Sequence, residues 1–337
     1  MLNSLIKPSR YLRLFSKAIS GTAKPGNNSN AVVNRVLSRA VIRQVSSIAL
    51  TSFALLTSLL AFAVFSVSSH AATPATLDDT CWQMSFKEDF EELSLWNPET
   101  RTGDWKTSYI WGSDIRINNE LQYYIDPRVH GYNPFSLADG ILTISARPTP
   151  PDILAKVNNM PYISGVLTTE EGFSQKYGRF EAFAKVPKGK GLWAAFWLLP
   201  SFDQWPEGVA ILPEIDVMES LGNEYRTYHT TLHTNQSGKL TSHPYDHTFD
   251  VELSADFHLY SAVWTAKTVT WYLDGRKVAE HPTPADFTRP KHFLLNLAVG
   301  GTWPGNPDVN TRFPANYQVD YVKAWTPAPS AASQCGH

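Results

Sequence analysis

The chain has 337 residues, with 29 Lys and Arg against 31 Asp and Glu, so its formal net charge at neutral pH is −2. Eight of the 29 basic residues precede the first acid and lie before residue 72, which leaves 21 in a clearly acidic remainder. An acidic remainder argues against a nucleic-acid backbone as ligand, because such binding depends on basic patches.

Residues 1–71 predict a secretory signal peptide with a long basic leader. An uncharged apolar run at 47–67 follows the basic stretch, and the small residues Ser69 and Ala71 follow the run. These three parts define a signal peptide, cleaved here near Ala71 or Ala72. The run is also long enough to act as an uncleaved anchor. We expect a secreted protein, extracellular or periplasmic, with membrane anchoring by residues 47–67 as the alternative.

Two cysteines, Cys81 and Cys335, lie near the two ends of the exported part. In an oxidising compartment they can pair and hold the termini of one domain together, with two free thiols as the alternative. A loop this long corresponds to about 5 kcal/mol of stabilisation in the chain-entropy account. We expect one domain over residues 72–337 and a monomer.

Short segments that alternate apolar and polar residues follow, separated by Gly and Pro. They are, in chain order, GILTISA (140–146), YGRFEAFAKV (177–186), YHTTLHT (228–234), FHLYSAVWT (257–265), VTWYLDGRKVAE (269–280) and YQVDYVKAW (317–325). Asp274-Gly275 marks the tight turn of a hairpin. Helical periodicity is nearly absent, so the pattern predicts an antiparallel all-β sandwich or barrel.

The segment PEIDVMES (213–220) places three carboxylates among apolar residues. Strand alternation puts Glu214 and Asp216 on one face. Glu219 has the wrong parity and joins that face only if a β-bulge lies at about Val217–Met218. Four regular steps, about 13 Å, then separate the two glutamates. Side chains that lean together bring their carboxyls to about 5 to 6 Å, close to the separation in a retaining glycosidase.

Two carboxyls at this separation can break a glycosidic bond, one ionised to attack the anomeric carbon and one protonated to assist the leaving oxygen. Asp216 between them can hydrogen-bond one glutamate and raise the pKa of its neighbour by like-charge repulsion. On spacing alone, a solvated strand face and a calcium site of three oxygens are the alternatives.

His229 and His233 share a face of the next strand, and a hairpin return lays that face beside the acids. About 13 Å separates them, which is too far for the two to chelate one ion. A histidine beside two glutamates can orient or tune them.

The segment PEIDVMES resembles the active-site signature of glycoside hydrolase family 16, which has the form E-x-D-x-x-E. Other segments resemble the family in order and spacing: FSQKYGRFEAFAKVPKGKGLWAAFWLLP, FHLYSAVWT, VTWYLDG, LLNLAVGGTWPGNP and VDYVKAW. The resemblance covers essentially residues 82–326. NNELQYYIDPR and GYNPFSLADGILTISA are most similar to its bacterial exopolysaccharide-trimming members, such as succinoglycan glycanases.

The resemblance implies a two-sheet β-jelly roll with a cleft across its concave face. It implies Glu214 as nucleophile, Asp216 as assisting acid, Glu219 as general acid/base and His233, rather than His229, as the cleft histidine. The family's sugar subsites correspond here to Asn119, Trp193, Trp197, Asn296 and Trp303.

The resemblance implies no cofactor for catalysis. Asp320 corresponds to a position that often helps to hold a structural calcium, with a carbonyl from Gly140. Many relatives carry Arg in place of Phe183, a difference expected to alter sugar contacts.

The function expected from these residues is that of a secreted, retaining endo-β-glycanase whose partner is a polysaccharide with β-1,3 or β-1,4 linkages. A transglycosylase would share the chemistry until water or a sugar arrives. A lectin-like binding module would have lost a catalytic acid, and this chain has all three.

Overall fold

The computed structural model describes residues 81–113, 116–201 and 213–328, all within one compact unit. The strands are β1 (Trp82–Glu88), β2 (Gln122–Tyr124), β3 (Phe135–Ala138), β4 (Ile141–Pro148), β5 (Tyr162–Ser164), β6 (Val166–Thr168), β7 (Gly178–Lys185), β8 (Leu192–Leu199), β9 (Glu214–Leu221), β10 (Thr227–Thr234), β11 (Thr241–Thr248), β12 (His258–Trp264), β13 (Thr268–Leu273), β14 (Arg276–Pro282), β15 (His292–Val299) and β16 (Ala315–Pro327). Helix α1 (Pro127–His130) and a 3-10 turn at Leu154–Val157 are short.

Two sheets contain all of these strands. The larger sheet has ten, in the order β14-β13-β12-β7-β16-β4-β5-β2, with β1 on β16 and β3 on β4. The smaller sheet has six, in the order β11-β10-β9-β8-β15-β6. Pairing is antiparallel except between β2 and β5. The predicted antiparallel all-β sandwich is therefore confirmed.

Alternate residues of the strands build one core between the sheets. Phe180 on β7 of the larger sheet contacts Phe293 on β15 of the smaller one, with ring centroids 6.0 Å apart. Phe196 on β8 packs against the same ring at 5.7 Å. All three side chains are fully buried. Burial of these apolar faces is the main force that holds the sheets together.

The predicted hairpin is confirmed in β13 and β14. Asp274 and Gly275 both have positive φ, 50° and 79°. Two positive φ values in succession are those of a type I′ turn, whose twist matches the flanking strands.

Phe183 lies on β7 in the larger sheet, out of phase with the core residues of that strand. Its ring packs against Phe257 at 5.5 Å and Tyr321 at 5.6 Å. The acids of PEIDVMES lie on the other sheet. The expectation that Phe183 alters sugar contacts is therefore wrong, because its side chain packs on the outer face of the opposite layer.

Several predictions concern residues outside the described ranges. These are the signal peptide, the anchor at 47–67, the domain boundary after residue 71 and the pairing of Cys81 with Cys335. They remain predictions. Within the described residues, no helix has the length and apolar character needed to cross a membrane.

Candidate active site

Strand β9 contains the bulge that the parity of Glu219 predicts. Phe196 and Trp197 are consecutive on β8, whereas their partners on β9, Met218 and Asp216, are two positions apart. Val217 is the extra residue. Its side chain and that of Met218 both lie in the core, which fits a bulge that turns two successive residues inward.

The bulge brings Glu214, Asp216 and Glu219 to the outer face of the smaller sheet. Asp216 and Glu219 are buried and Glu214 is half-buried. On β10, Glu214 lies opposite His233 and Glu219 lies opposite His229. The predicted hairpin return of the histidine strand is therefore confirmed.

His233 contacts two of the three acids. Its Nε2 lies 3.1 Å from Asp216 Oδ2 and 3.7 Å from Glu214 Oε1, and its Nδ1 is 2.8 Å from Ser242 Oγ. Burial disfavours the imidazolium, but the hydrogen bond to Asp216 and the charge of Glu214 outweigh it and raise the pKa of His233 to about 10. The ring is therefore positively charged at neutral pH.

Both glutamates hold their protons more tightly than free carboxyls do. Burial, followed by the negative charge of Asp216, raises the pKa of Glu214 to about 8. The same two causes raise the pKa of Glu219 well above its ordinary value, partly offset by His233. Trp193 Nε1 also donates a hydrogen bond to Glu219 Oε1 at 3.1 Å. The site can therefore keep a proton for transfer near neutral pH.

His229 has a different environment, although it faces the same side. Its Nδ1 lies 2.8 Å from Asp246 Oδ1, and its Nε2 lies 3.4 Å from Glu224 Oε2. Its ring packs edge-on against Trp303 at 4.8 Å. The structure thus places His233 among the acids and His229 beneath an aromatic side chain.

One predicted sugar-binding tryptophan, Trp193, contacts Glu219, and a second, Trp303, packs against Trp193. Trp303 is 45% exposed and packs at 87° against Trp193, with ring centroids 5.2 Å apart. Because Trp193 also bonds Glu219, an exposed aromatic surface is continuous with that carboxyl. Such a surface suits the apolar face of a sugar ring.

Trp197 and Asn296 lie together on the same sheet but are both buried. Trp197 Nε1 donates to Asn296 Oδ1 at 2.8 Å, and Asn296 Nδ2 donates to Tyr124 OH at 3.1 Å. Tyr109 packs edge-on against Trp197 at 5.7 Å. Their polar groups are used within the protein, and their contact with sugar stays a prediction.

Asn119 lies on a loop that is joined to the loop of Trp303. Its Nδ2 is 3.4 Å from Thr302 Oγ1, and Thr302 in turn donates to Asn118 O at 2.8 Å. The buried carboxyl of Glu120 lies in the same loop, and burial raises its pKa to about 7. Asn119 thus contacts the residue before Trp303, and its contact with sugar stays a prediction.

The sequence analysis missed two buried groups near the site, Glu120 and Lys291. Lys291 Nζ donates to the carbonyl of Pro213, one residue before Glu214, at 2.5 Å. A charge directly before the apolar strand HFLLNLAV was the only signal available, since its partner is 78 positions away in sequence.

The predicted calcium position at Asp320 has another carboxylate nearby, but lysines lie there as well. Asp320 is partly buried, and burial with the nearby charge of Asp89 raises its pKa, which fits a group that a cation would stabilise. Lys87 and Lys323 already form ion pairs with Asp89. The calcium stays a prediction, and no step of the chemistry below depends on it.

Within the described ranges, the one group of three or more possible metal ligands is Glu214, Asp216 and His233, whose ligand atoms lie within 4.8 Å of one another. His233 already forms an ion pair with Asp216. The contacts therefore place a protonated histidine against two of the three acids.

Glutamine in place of Glu214 should leave stability nearly unchanged at pH 5 and raise it by several degrees at pH 9. In the unfolded chain this carboxyl loses its proton near 4.5, but in the fold its pKa is about 8. Between these values the unfolded state binds fewer protons, so the wild type loses stability as pH rises, whereas an amide does not titrate. Thermal melting of both proteins at the two pH values measures the effect. An equal difference at pH 5 and pH 9 would contradict it.

Comparison with known proteins supports the resemblance of the sequence to glycoside hydrolase family 16. The profile of the family described as Glycosyl hydrolases family 16 matches residues 136–323. The endo-1,3-1,4-beta-glycanase EglC of Rhizobium meliloti is 38% identical over 74% of this chain and 53% of its own. The beta-glucanase of Rhodothermus marinus is 33% identical over 72% of this chain and 85% of its own. The chain thus spans about half the length of the first relative.

Solved structures agree in fold. The endo-beta-1,3-glucanase of Pyrococcus furiosus is 34% identical, with a TM-score of 0.58 over 76% of this chain and 98% of its own. The laminarinase catalytic domain of Thermotoga maritima is 30% identical, with a TM-score of 0.59 over 74% of this chain and 99% of its own. With the bulged acidic strand and the profile match, these likenesses lead to one conclusion: the chain belongs to glycosyl hydrolases family 16.

Proposed function

We propose that the protein is an endo-β-glycanase that hydrolyses internal β-1,3 or β-1,4 linkages of a glucan or a bacterial exopolysaccharide. The observation that carries this proposal is the bulge in β9, because it brings Glu214 and Glu219 to one face with Asp216 between them. The names of the relatives, endo-1,3-1,4-beta-glycanase and beta-glucanase, support the substrate class.

The proposed mechanism is a double displacement. The Glu214 carboxylate attacks the anomeric carbon while Glu219 gives its proton to the departing glycosidic oxygen. Glu219 then takes a proton from water, whose oxygen attacks the same carbon and releases Glu214. The positive charge of His233 lowers the pKa of Glu214 and so favours the ionised nucleophile.

The active form carries one proton on the glutamate pair. Because both glutamates interact with Asp216 and His233, their protons leave in steps that belong to the whole cluster. The shared proton is assigned to Glu219, because its side chain is more deeply buried than that of Glu214 and burial disfavours the charged form. Asp216 supports both roles through its contact with His233 and its repulsion of a second negative charge.

The polymer is expected to lie over the outer face of the smaller sheet, with a sugar ring on Trp303. Purified protein should release oligosaccharides from at least one member of a panel of laminarin, lichenan and bacterial exopolysaccharides of the succinoglycan type. The Glu214→Gln variant is the matched control. Binding without any cleavage across the panel would overturn the proposal in favour of a lectin-like module.

The first product released should be the β-anomer, matching the bond that is cut. Two displacements each invert the anomeric carbon, so the configuration is retained. Proton NMR of the earliest anomeric signals, recorded before mutarotation, measures this. An α-anomer appearing first would show that a water, rather than Glu214, attacks the sugar. Products longer than the substrate would instead identify a transglycosylase.

We also propose export of the protein, with cleavage near Ala72 and a bond between Cys81 and Cys335. The basic leader and the apolar run at 47–67 support export, and the positions of the two cysteines support pairing. N-terminal sequencing of secreted material should begin near Ala72. An intact membrane-bound chain would identify an anchor, and two alkylatable thiols would exclude the bond.

A further inference from the structure

Lys291 is a cation that the fold buries next to the acidic strand. Its side chain is 1% exposed and lies over the ring of Phe287, 4.3 Å from the centroid, and near that of Trp264 at 5.4 Å. Removing an ammonium from water is costly, and an apolar residue of the same size would avoid that cost. The burial of this ammonium despite its cost indicates that the charge has a role in the protein.

Both ends of Lys291 are held. Its backbone N–H and C=O bond the C=O and N–H of Gln175 at 3.0 and 2.9 Å. At the other end, Nζ donates to the Pro213 carbonyl at 2.5 Å. Pro213 immediately precedes Glu214, the first residue of β9. The lysine therefore bridges the start of β15 and the start of the acidic strand, two strands that β8 separates in the sheet.

The charged groups that face Lys291 are few. Glu214 approaches from β9 and Asp286 from the loop before β15; both favour the ammonium, whereas burial lowers the pKa of Lys291 to about 7. Asp286 accepts hydrogen bonds from Thr234 Oγ1 and the Asn235 N–H, at 2.6 and 2.7 Å. His292, the next residue, is held neutral because burial lowers its pKa to about 3.

We propose that Lys291 is a positioning residue that fixes the peptide before Glu214 and, by its charge, favours the ionised form of that glutamate. The inference rests on the proposed function, in which Glu214 is the nucleophile. It adds a second cation to His233, acting from beneath the strand rather than from its outer face. Up to about pH 7 the lysine carries its charge.

Two variants separate the charge from the packing. Lys291→Met keeps most of the volume but removes the charge and the donor, and Lys291→Arg keeps both. We expect kcat of the Met variant to fall on the order of 10- to 100-fold, because small displacements of a reacting group are costly. KM should change little, since Lys291 is too deeply buried to touch substrate. The Arg variant should recover part of kcat.

The pH profile distinguishes this role from a merely structural one. Without the ammonium, the acidic limb of kcat should move to higher pH by about half a unit or more, because a nearby positive charge favours the carboxylate. Lys323→Met, which removes a cation lying over Tyr321 on β16, is the matched control and should not move it. A lower kcat of Lys291→Met with an unmoved acidic limb would overturn the proposed effect of the charge on Glu214. A wild-type kcat and pH profile in this variant would overturn the positioning role as well.

A test on the unmodified protein covers variants that fail to fold. The carboxyl ¹³C signal of Glu214, assigned by its loss in Glu214→Gln, should show a second inflection near pH 7, where Lys291 deprotonates. A single inflection would contradict the inference. If the wild type cleaved nothing in the polysaccharide panel, the proposed function would fail. The titration would still decide whether the Glu214 carboxyl responds to the charge of Lys291.

Discussion

Replacing either Glu214 or Glu219 with glutamine is expected to lower kcat by about 10³-fold or more on any polysaccharide that the wild type cleaves. Each change deletes one half of the two-carboxylate chemistry: the amide at 214 cannot attack the anomeric carbon, and the amide at 219 has no proton to give. Both variants should fold, since an amide matches the carboxyl in size. The losses should not add in the double variant, because the pair acts as a unit.

Glu280→Gln is the matched control for these variants. Glu280 lies on β14 in the larger sheet and pairs with Lys277 at the surface. Its replacement should leave kcat within about twofold, since exposed pairs contribute little. Initial rates from reducing-sugar release, with thermal melting to verify folding, measure all three. Near-normal turnover by the 214 or the 219 variant would remove that residue from the mechanism.

Asp216→Asn is expected to lower kcat by about 10²-fold and to move the pH profile to lower pH. The carboxylate of Asp216 is a leading cause of the raised pKa of both glutamates and of the charge on His233. Without it, Glu219 gives up its proton more readily, so the basic limb moves to lower pH. His233 also becomes neutral more easily, which weakens its support of the Glu214 carboxylate.

Asp246→Asn tests whether any loss of an aspartate–histidine pair has the same effect. Asp246 contacts His229 at 2.8 Å, but neither residue contacts Glu214 or Asp216. Its replacement should leave the basic limb where it is. If the basic limb of the pH profile moved equally in Asp216→Asn and Asp246→Asn, or in neither, Asp216 would not control the protonation of the glutamates.

Alternation along the chain predicted much of this protein. All six alternating segments are strands, and the parity of Glu219 located the bulge at Val217–Met218 before any partner strand was considered. These predictions hold because which side of a strand a residue faces depends on local backbone geometry alone. The same parity put His229 and His233 on one face, and the resemblance selected His233.

What parity leaves open is which strands are neighbours and which side of a sheet faces the core. Phe183 shares its segment with core residues, yet only the sheet order places it on the layer opposite the acids. Lys291 meets Pro213 across 78 positions, and Trp197 meets Asn296 across 99. The chain by itself determined the strands, the bulge and the three acids. Packing of the two sheets decided which distant groups hold those acids in place, because such contacts depend on sheet order rather than on local alternation.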